Sequence, residues 1–299
     1  MDSPTVVVAD PTAPAGGVVA AYVALTKPRI IELLLITTVP AMVLAAGGWP
    51  GWWLVLNTLL GGTLSAGGAN ALNNWFDRDI DEVMRRTRGR PLPRHRIEPA
   101  AALRFGVVLG LAGFGWLWIS TTLLAAVIST AALLFYVLVY TMGLKRRTIQ
   151  NIVIGGAAGA APALVGWAAV RGDVGLAAWI LFAIVFYWTP PHFWALAIRY
   201  ESDYAAAGVP MLPVVKGVEA TTRSMLTYSG TMVLISLMLV PVAGMGWVYL
   251  AAAVGAGAWF VWETFRVRLD AARAMKLFTA STIYLSVVFA SVVVDVLVR

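Results

Sequence analysis

The sequence contains no cysteine among its 299 residues. Disulfides, thiolate nucleophiles, cysteine-ligated zinc and Cys-x-x-Cys-His haem attachment are thereby excluded, while the compartment is left open. Charge is scarce as well: 12% of residues are Asp, Glu, Lys or Arg, and only two are histidine. The opening "MDSPTVVVADPTAPAGGVVA" has no basic start and carries prolines, so no cleavable leader is expected and residues 1–21 read as a disordered cytosolic tail. What fills the rest is apolar. Hydrophobic residues make up 60% of the chain, mean hydropathy is +0.80, and apolar runs of about twenty residues recur. A soluble core of this size cannot hide so many runs, so the bilayer is expected as the solvent.

The pattern predicts an all-α integral membrane protein with nine transmembrane helices in one bundle, over roughly 30–47, 52–76, 100–119, 121–141, 149–170, 176–200, 221–242, 245–262 and 277–297. Residues 22–299 would form this single domain. The net charge of +7 does not imply nucleic acid, because its placement follows topology. Arg85, Arg86, Arg88, Arg90, Arg94 and Arg96, then Lys145, Arg146 and Arg147, then Arg199 and Lys216, then Arg266, Arg268, Arg273 and Lys276 all fall in alternate connections, while only Arg171 and Arg299 lie on the other side. The positive-inside rule then predicts a cytosolic N-terminus. Trp49, Trp52, Trp53, Trp116, Trp118 and Trp247 fall near the opposite interface, as an aromatic belt would.

Two connections resemble each other. "RPLPRHRIEPAAALRFG" (90–106) and "VPMLPVVKGVEATTRSM" (209–225) align at an offset near 120, and each follows a span ending in acids. The expected architecture is two four-helix pseudo-repeats plus one helix, with binding at the repeat interface.

The densest polar stretch is "NNWFDRDID" (73–81). Asn73, Asp77 and Asp81 recur every four residues, so they share one helix face with roughly 40° of drift and about 6 Å of rise per step. Asp79 points away and is expected to be solvated or paired with an arginine. Carboxylates this close repel, and near a membrane they are costly unless a cation joins them. Oxygen-only ligands select a hard ion, Mg²⁺ or Ca²⁺. The neighbouring loop "EVMRRTRGRPLPRHRIEP" and the cluster "LKRRTIQN" (144–151) supply bases at the same end. Acids that hold Mg²⁺ beside cations that contact oxygens suit a diphosphate. With helices around it, the substrate reads as an amphiphile with its head at the interface.

These residues resemble the intramembrane aromatic prenyltransferase superfamily, through its Asn-x-x-x-Asp-x-x-x-Asp motif. Within it they resemble the haem-farnesylating branch, the protoheme IX farnesyltransferases, through "RTRGRPLP" (86–93), "LKRRTIQNIVIGGAAGA" (144–160), "TPPHFWALAIRY" (189–200) and "DYAAAGVPMLPVV" (203–215). The similarity runs over residues 22–299. It implies Mg-assisted transfer of a farnesyl group from farnesyl diphosphate to a vinyl group of haem b, with water addition, in a bacterial-type plasma membrane with the active site at the cytosolic face. It further implies catalytic roles for Asn73, Asp77, Asp81 and Asp203, metal ligation by Asp77, Asp81, Glu201 and Asp203, diphosphate contacts from Arg88, Arg90, Lys145 and Arg146, and haem contacts from His192 and Tyr200. Downstream haem-modifying or oxidase-assembly partners follow from the same resemblance. The second acidic motif departs from the superfamily's spacing, because Arg199 stands four residues before Asp203.

His192 follows Pro190 and Pro191 inside the sixth span. The prolines remove two backbone donors, so a kinked or broken helix lining a cavity is expected here. His192 would lie deeper than Arg199 and Asp203, by roughly 10 and 16 Å of helix rise. It faces either an acceptor macrocycle or a freed carbonyl. A related enzyme prenylating a quinone precursor shares the acidic row, and only this span separates the two readings. A phosphatidyl-alcohol phosphotransferase lacks support upstream of the row. An anion transporter would not need the row at all.

Overall fold

The computed structural model describes residues 17–299, apart from the side chains of residues 29, 30 and 32–35. Most of the expected tail lies outside the described residues, but Val18–Ala21 do not belong to a tail: they open a short helix, α1 (Val18–Thr26). Then follow α2 (Pro28–Ala46), α3 (Trp52–Phe76), α4 (Arg78–Val83), α5 (Pro99–Ser120), α6 (Leu123–Leu134), α7 (Asn151–Arg171), α8 (Leu176–Arg199), α9 (Glu201–Ala206), α10 (Leu212–Ala243), α11 (Trp247–Leu269) and α12 (Ala274–Val298). No strand occurs among the described residues. Among the described residues, seven helices are long and apolar enough to cross a membrane; the described part of α2 (Ile36–Ala46) is apolar but short, and α3, rich in asparagine, is not among the seven.

Helix ends follow local chemistry. Pro28 and Pro99 stand in the first turns of α2 and α5, where a missing N–H costs nothing. Gly172 and Gly244 close α7 and α10 in the left-handed conformation that a Cβ disfavours. Three departures from the expected spans matter. α6 continues to Leu144 as a π-helix (Phe135–Leu144). α10 begins nearer the second acidic segment and bends at Gly217, whose φ is 76°. And α8 runs unbroken through Pro190 and Pro191. Instead of opening there, α8 is tied to α12: Trp188 Nε1 donates to the Ser281 carbonyl at 2.7 Å.

The most extensive helix contacts are α3 with α5 and α8 with α10. The first pair is a small-residue seam. Gly61, Ser65 and Gly68 of α3 face Leu117, Gly113 and the Gly106–Gly110 backbone of α5. Small side chains let two backbones approach closely, the main route to helix association in lipid. A Cβ at Gly68 would fall 2.7 Å from the Gly106 carbonyl oxygen and 2.8 Å from the Gly110 nitrogen. Gly68→Ala is therefore expected to destabilise the protein by roughly 1–3 kcal/mol, read as a lowered thermal midpoint in detergent. Gly62→Ala, where a Cβ meets nothing within 4 Å, should leave that midpoint unmoved. Equal shifts in both would show that the seam is not close-packed. The larger apolar core lies on the other side, among α8, α10, α11 and α12, around Tyr249, Phe260, Tyr284 and Phe289.

α3–α4 and α8–α9 share one build. In each, a long helix breaks at a single residue, Asp77 or Tyr200, and a six-residue helix with acids in its first turn follows. Both breaks lie at the end of the bundle that carries the arginine-rich connections. The tryptophans assigned to the far interface are exposed, Trp247 at 83% and Trp53 at 77%.

Candidate active site

The break at Asp77 does not interrupt the acidic row. Asp77 N donates to the Asn73 carbonyl and Asp81 N to the Asp77 carbonyl, both at 2.9 Å, so the four-residue spacing survives. Asn73, Asp77 and Asp81 are buried, with Asp77 at 0% exposure. Asn73 Nδ2 donates to Asp77 Oδ2 at 2.7 Å and to Thr141 Oγ1 at 3.1 Å.

Four acids of this end, Asp77, Asp79, Asp81 and Asp203, each meet a base from another segment. Lys145, at the end of the π-helix, donates to Asp77 Oδ2. Its own backbone N–H reaches the Tyr140 carbonyl five residues back, at 2.8 Å. π-Turns of this kind concentrate at functional sites. Arg90 Nη1 stands 2.6 Å from Asp81 Oδ2. Arg146 forks onto Asp79 at 2.6 and 2.7 Å, as the sequence expectation for Asp79 allowed, and lies 3.5 Å from Asp77 Oδ1. That fork holds the Asp79 carboxyl below the usual carboxylate range. Arg85 Nε and the Arg86 N–H reach Asp203 at 3.0 and 3.2 Å, joining the first basic loop to the second acidic segment.

One member of the site is not among the candidates named from the sequence. Lys27 adopts a left-handed φ of 53° between α1 and α2 and donates to Asn73 Oδ1 at 2.7 Å. Asn70 and Asn74 hold the preceding turn through the Thr26 and Leu25 carbonyls, each at 2.9 Å. Burial, then the charges of Arg90 and Lys145, push the Lys27 ammonium well below the usual lysine range. The strain at its backbone was the only signal, and a sequence does not display φ.

Other expected residues stand apart. Arg88 is exposed and Glu201 half-exposed, and the structure brings neither into this network. Tyr200 lies at the α8–α9 break, its ring 5.9 Å from both the Arg86 and Arg199 guanidinium carbons. His95 is exposed in the loop. His192 is buried between α8 and α12, stacked between Trp188 and Phe278 with centroids 4.2 Å away on each side, its Nδ1 2.6 Å from Ser281 Oγ.

Among the described residues, no three His, Asp or Glu side chains converge closely enough to hold a metal. The donor set nevertheless fits a hard cation. It is all oxygen, and Asp77 Oδ1 is buried without a hydrogen-bond donor. Arg146 Nε, buried without an acceptor, marks the complementary need for an anionic oxygen beside it.

A helical membrane bundle with buried carboxylates and cations gathered at one end defines an enzyme that works on a charged head group with an apolar body. The chain belongs to the UbiA prenyltransferase family, whose model matches residues 34–292. More narrowly, it is 55% identical over 280 residues to a protoheme IX farnesyltransferase of Clavibacter sepedonicus, covering 92% of each chain. It is 53% identical over 285 residues to one from Frankia alni, covering 94% of this chain and 99% of the relative. Among solved structures, a digeranylgeranylglyceryl phosphate synthase superposes with a TM-score of 0.77 at 18% identity, covering 94% of this chain and 99% of that one. A UbiA homologue from Archaeoglobus fulgidus bound to DMAPP and Mg²⁺ superposes at 0.65 with 14% identity, covering 91% and 99%.

Proposed function

We propose that the protein transfers the farnesyl group of farnesyl diphosphate to a vinyl group of haem b. The observation that carries this is the buried Asn73–Asp77–Asp81 row bracketed by Lys27, Arg90 and Lys145, in a chain more than half identical to protoheme IX farnesyltransferases. The C1–O bond of farnesyl diphosphate breaks, and its electron pair leaves with diphosphate. The terminal vinyl carbon bonds to farnesyl C1, water adds to the inner vinyl carbon, and a proton is released. The product carries a hydroxyethylfarnesyl chain.

The protein's own part is electrostatic. Lys27, Arg90, Lys145 and Arg146 present cations to the diphosphate where charge grows as C–O cleavage proceeds, and in a water-poor site such groups act strongly. The two acids Asp77 and Asp81, with Asp203 from the second segment, would hold Mg²⁺, which when bound neutralises diphosphate charge. Asn73 orients Asp77 and Lys27. The apolar helices keep bulk water from the allylic cation.

The charge distribution supports a cytosolic placement for this end, because the basic connections flank it. The matched builds of α3–α4 and α8–α9 support the two-repeat reading, with α2 and α3 supplying two further spans beside the seven.

Purified protein incubated with haem b, farnesyl diphosphate and Mg²⁺ should yield a porphyrin heavier by one farnesyl group and one hydroxyl group. A prenylated quinone precursor with unmodified haem in a mixed incubation would overturn the acceptor. His192→Ala tests the acceptor side separately. It is expected to weaken haem retention by the purified protein while leaving farnesyl diphosphate binding unchanged. Unchanged haem retention with a lowered thermal midpoint would confine His192 to its stacking between α8 and α12.

A further inference from the structure

Beneath the acidic row the π-helical segment presents an aromatic pair with no part in the charge network. Tyr136 and Tyr140 stack with centroids 5.3 Å apart and planes 24° from parallel. Tyr140 is backed by α7, where a Cβ at Gly155 would overlap its Cδ2 and contact its Cε2 and Cγ. Tyr136 is therefore the outer ring of a stack built on Gly155. Asp77 lies near both rings, with Arg90 and Asp81 on the Tyr136 side and Arg86 and Tyr204 on the Tyr140 side.

The segment is locked in this register. Thr141 Oγ1 donates to the Tyr136 carbonyl at 2.8 Å and accepts from Asn73 Nδ2 at 3.1 Å. Lys145 on the same segment holds Asp77. The stack thus lies on the apolar side of the groups assigned to the diphosphate, within roughly two helical turns of Lys145. That is the depth at which the first carbons of a diphosphate-anchored hydrocarbon must lie.

We propose that Tyr136 offers its ring face to the allylic cation formed when the C1–O bond breaks, with Tyr140 as the positioning residue that supports it on Gly155. An aromatic face attracts a cation through its quadrupole, more strongly where water is excluded. It cannot trap the cation as a carboxylate would. The inference rests on the farnesyl diphosphate reading of the site and is independent of the acceptor.

Two measurements on the full-length protein test it. The first is positional isotope exchange of ¹⁸O from the bridging to the non-bridging positions of farnesyl diphosphate, which reports ionisation without haem. The second is binding of farnesyl thiodiphosphate, an unreactive analogue. Tyr136→Phe keeps the ring and is expected to exchange at nearly the original rate. Tyr136→Leu is expected to slow exchange by roughly thirtyfold, as loss of a desolvated cation–π contact would, with analogue binding unchanged. Stepwise fluorinated phenylalanines at residue 136 keep the shape while draining the ring face, and should slow exchange in graded steps. A flat response across that series, or equal rates in Tyr136→Phe and Tyr136→Leu, overturns the proposal even if Tyr136→Leu folds poorly. Absence of exchange and of analogue binding in the unsubstituted protein would instead remove the diphosphate reading itself.

Discussion

Asp77→Asn is expected to abolish farnesyl transfer, by at least roughly a thousandfold, because it removes a carboxylate from the charged centre of the reaction. Asp77 is fully buried, with Oδ2 bonded to Lys145 and Asn73 and Oδ1 without a hydrogen-bond donor. An asparagine keeps the shape but loses the charge that would hold a divalent ion, and it leaves the Lys145 ammonium facing a neutral amide. The protein should still insert and fold, since the helical ladder through residue 77 is made by backbone groups. Product mass gives the rate, and far-ultraviolet dichroism checks the fold. Asp79→Asn is the matched control, because Asp79 is 60% exposed and, among the described residues, paired with Arg146 alone. Near-normal turnover in Asp77→Asn would remove the metal assignment. Calcium in place of Mg²⁺ should bind yet support transfer poorly, since it prefers longer and looser coordination.

The second large effect is expected at Lys145. Lys145→Ala should lower turnover by roughly a hundredfold, the scale of losing one preorganised charge at a developing anion. Two losses combine in it. The diphosphate loses a cation, and buried Asp77 keeps the Asn73 amide and, of the cations beside it, the more distant Arg146 Nη2 at 3.5 Å. Arg90→Ala should fall in the same range, since Arg90 is the partner of buried Asp81. Arg268 stands at the end of α11, away from this network, and Arg268→Ala should cost little. Turnover measured at saturating farnesyl diphosphate separates the cases. Equal losses at Lys145, Arg90 and Arg268 would mean that the basic residues only set orientation in the membrane.

The helices were legible because their causes are local. Apolar runs placed α3 at Trp52–Phe76 and α8 at Leu176–Arg199, within a residue of the expected spans. The ends of α10 and α11 were misjudged because charged residues such as Lys216, Arg266 and Arg268 continue a helix beyond its apolar part. Hydropathy reports where lipid ends, not where hydrogen bonding ends. The proline pair was misjudged for a related reason. Loss of two donors is a local cost, but whether the helix opens depends on its neighbour, and α12 grips α8 through Ser281.

The sequence by itself determined the membrane class, the helix order and the acidic row, because a four-residue spacing defines one face of any helix whatever surrounds it. Only the tertiary structure decided what that row faces. Lys145 reaches Asp77 across 68 residues, Arg85 reaches Asp203 across 118, and Lys27 reaches Asn73 across 46. It also withheld Arg88 and Glu201 from the network, although both stand in motifs as charged as those that joined it. Periodicity fixes a side chain's direction about its own helix axis. Which partner lies in that direction depends on how helices pack, here through a π-turn after α6 and through a glycine seam between α3 and α5 that the residues of the site do not set.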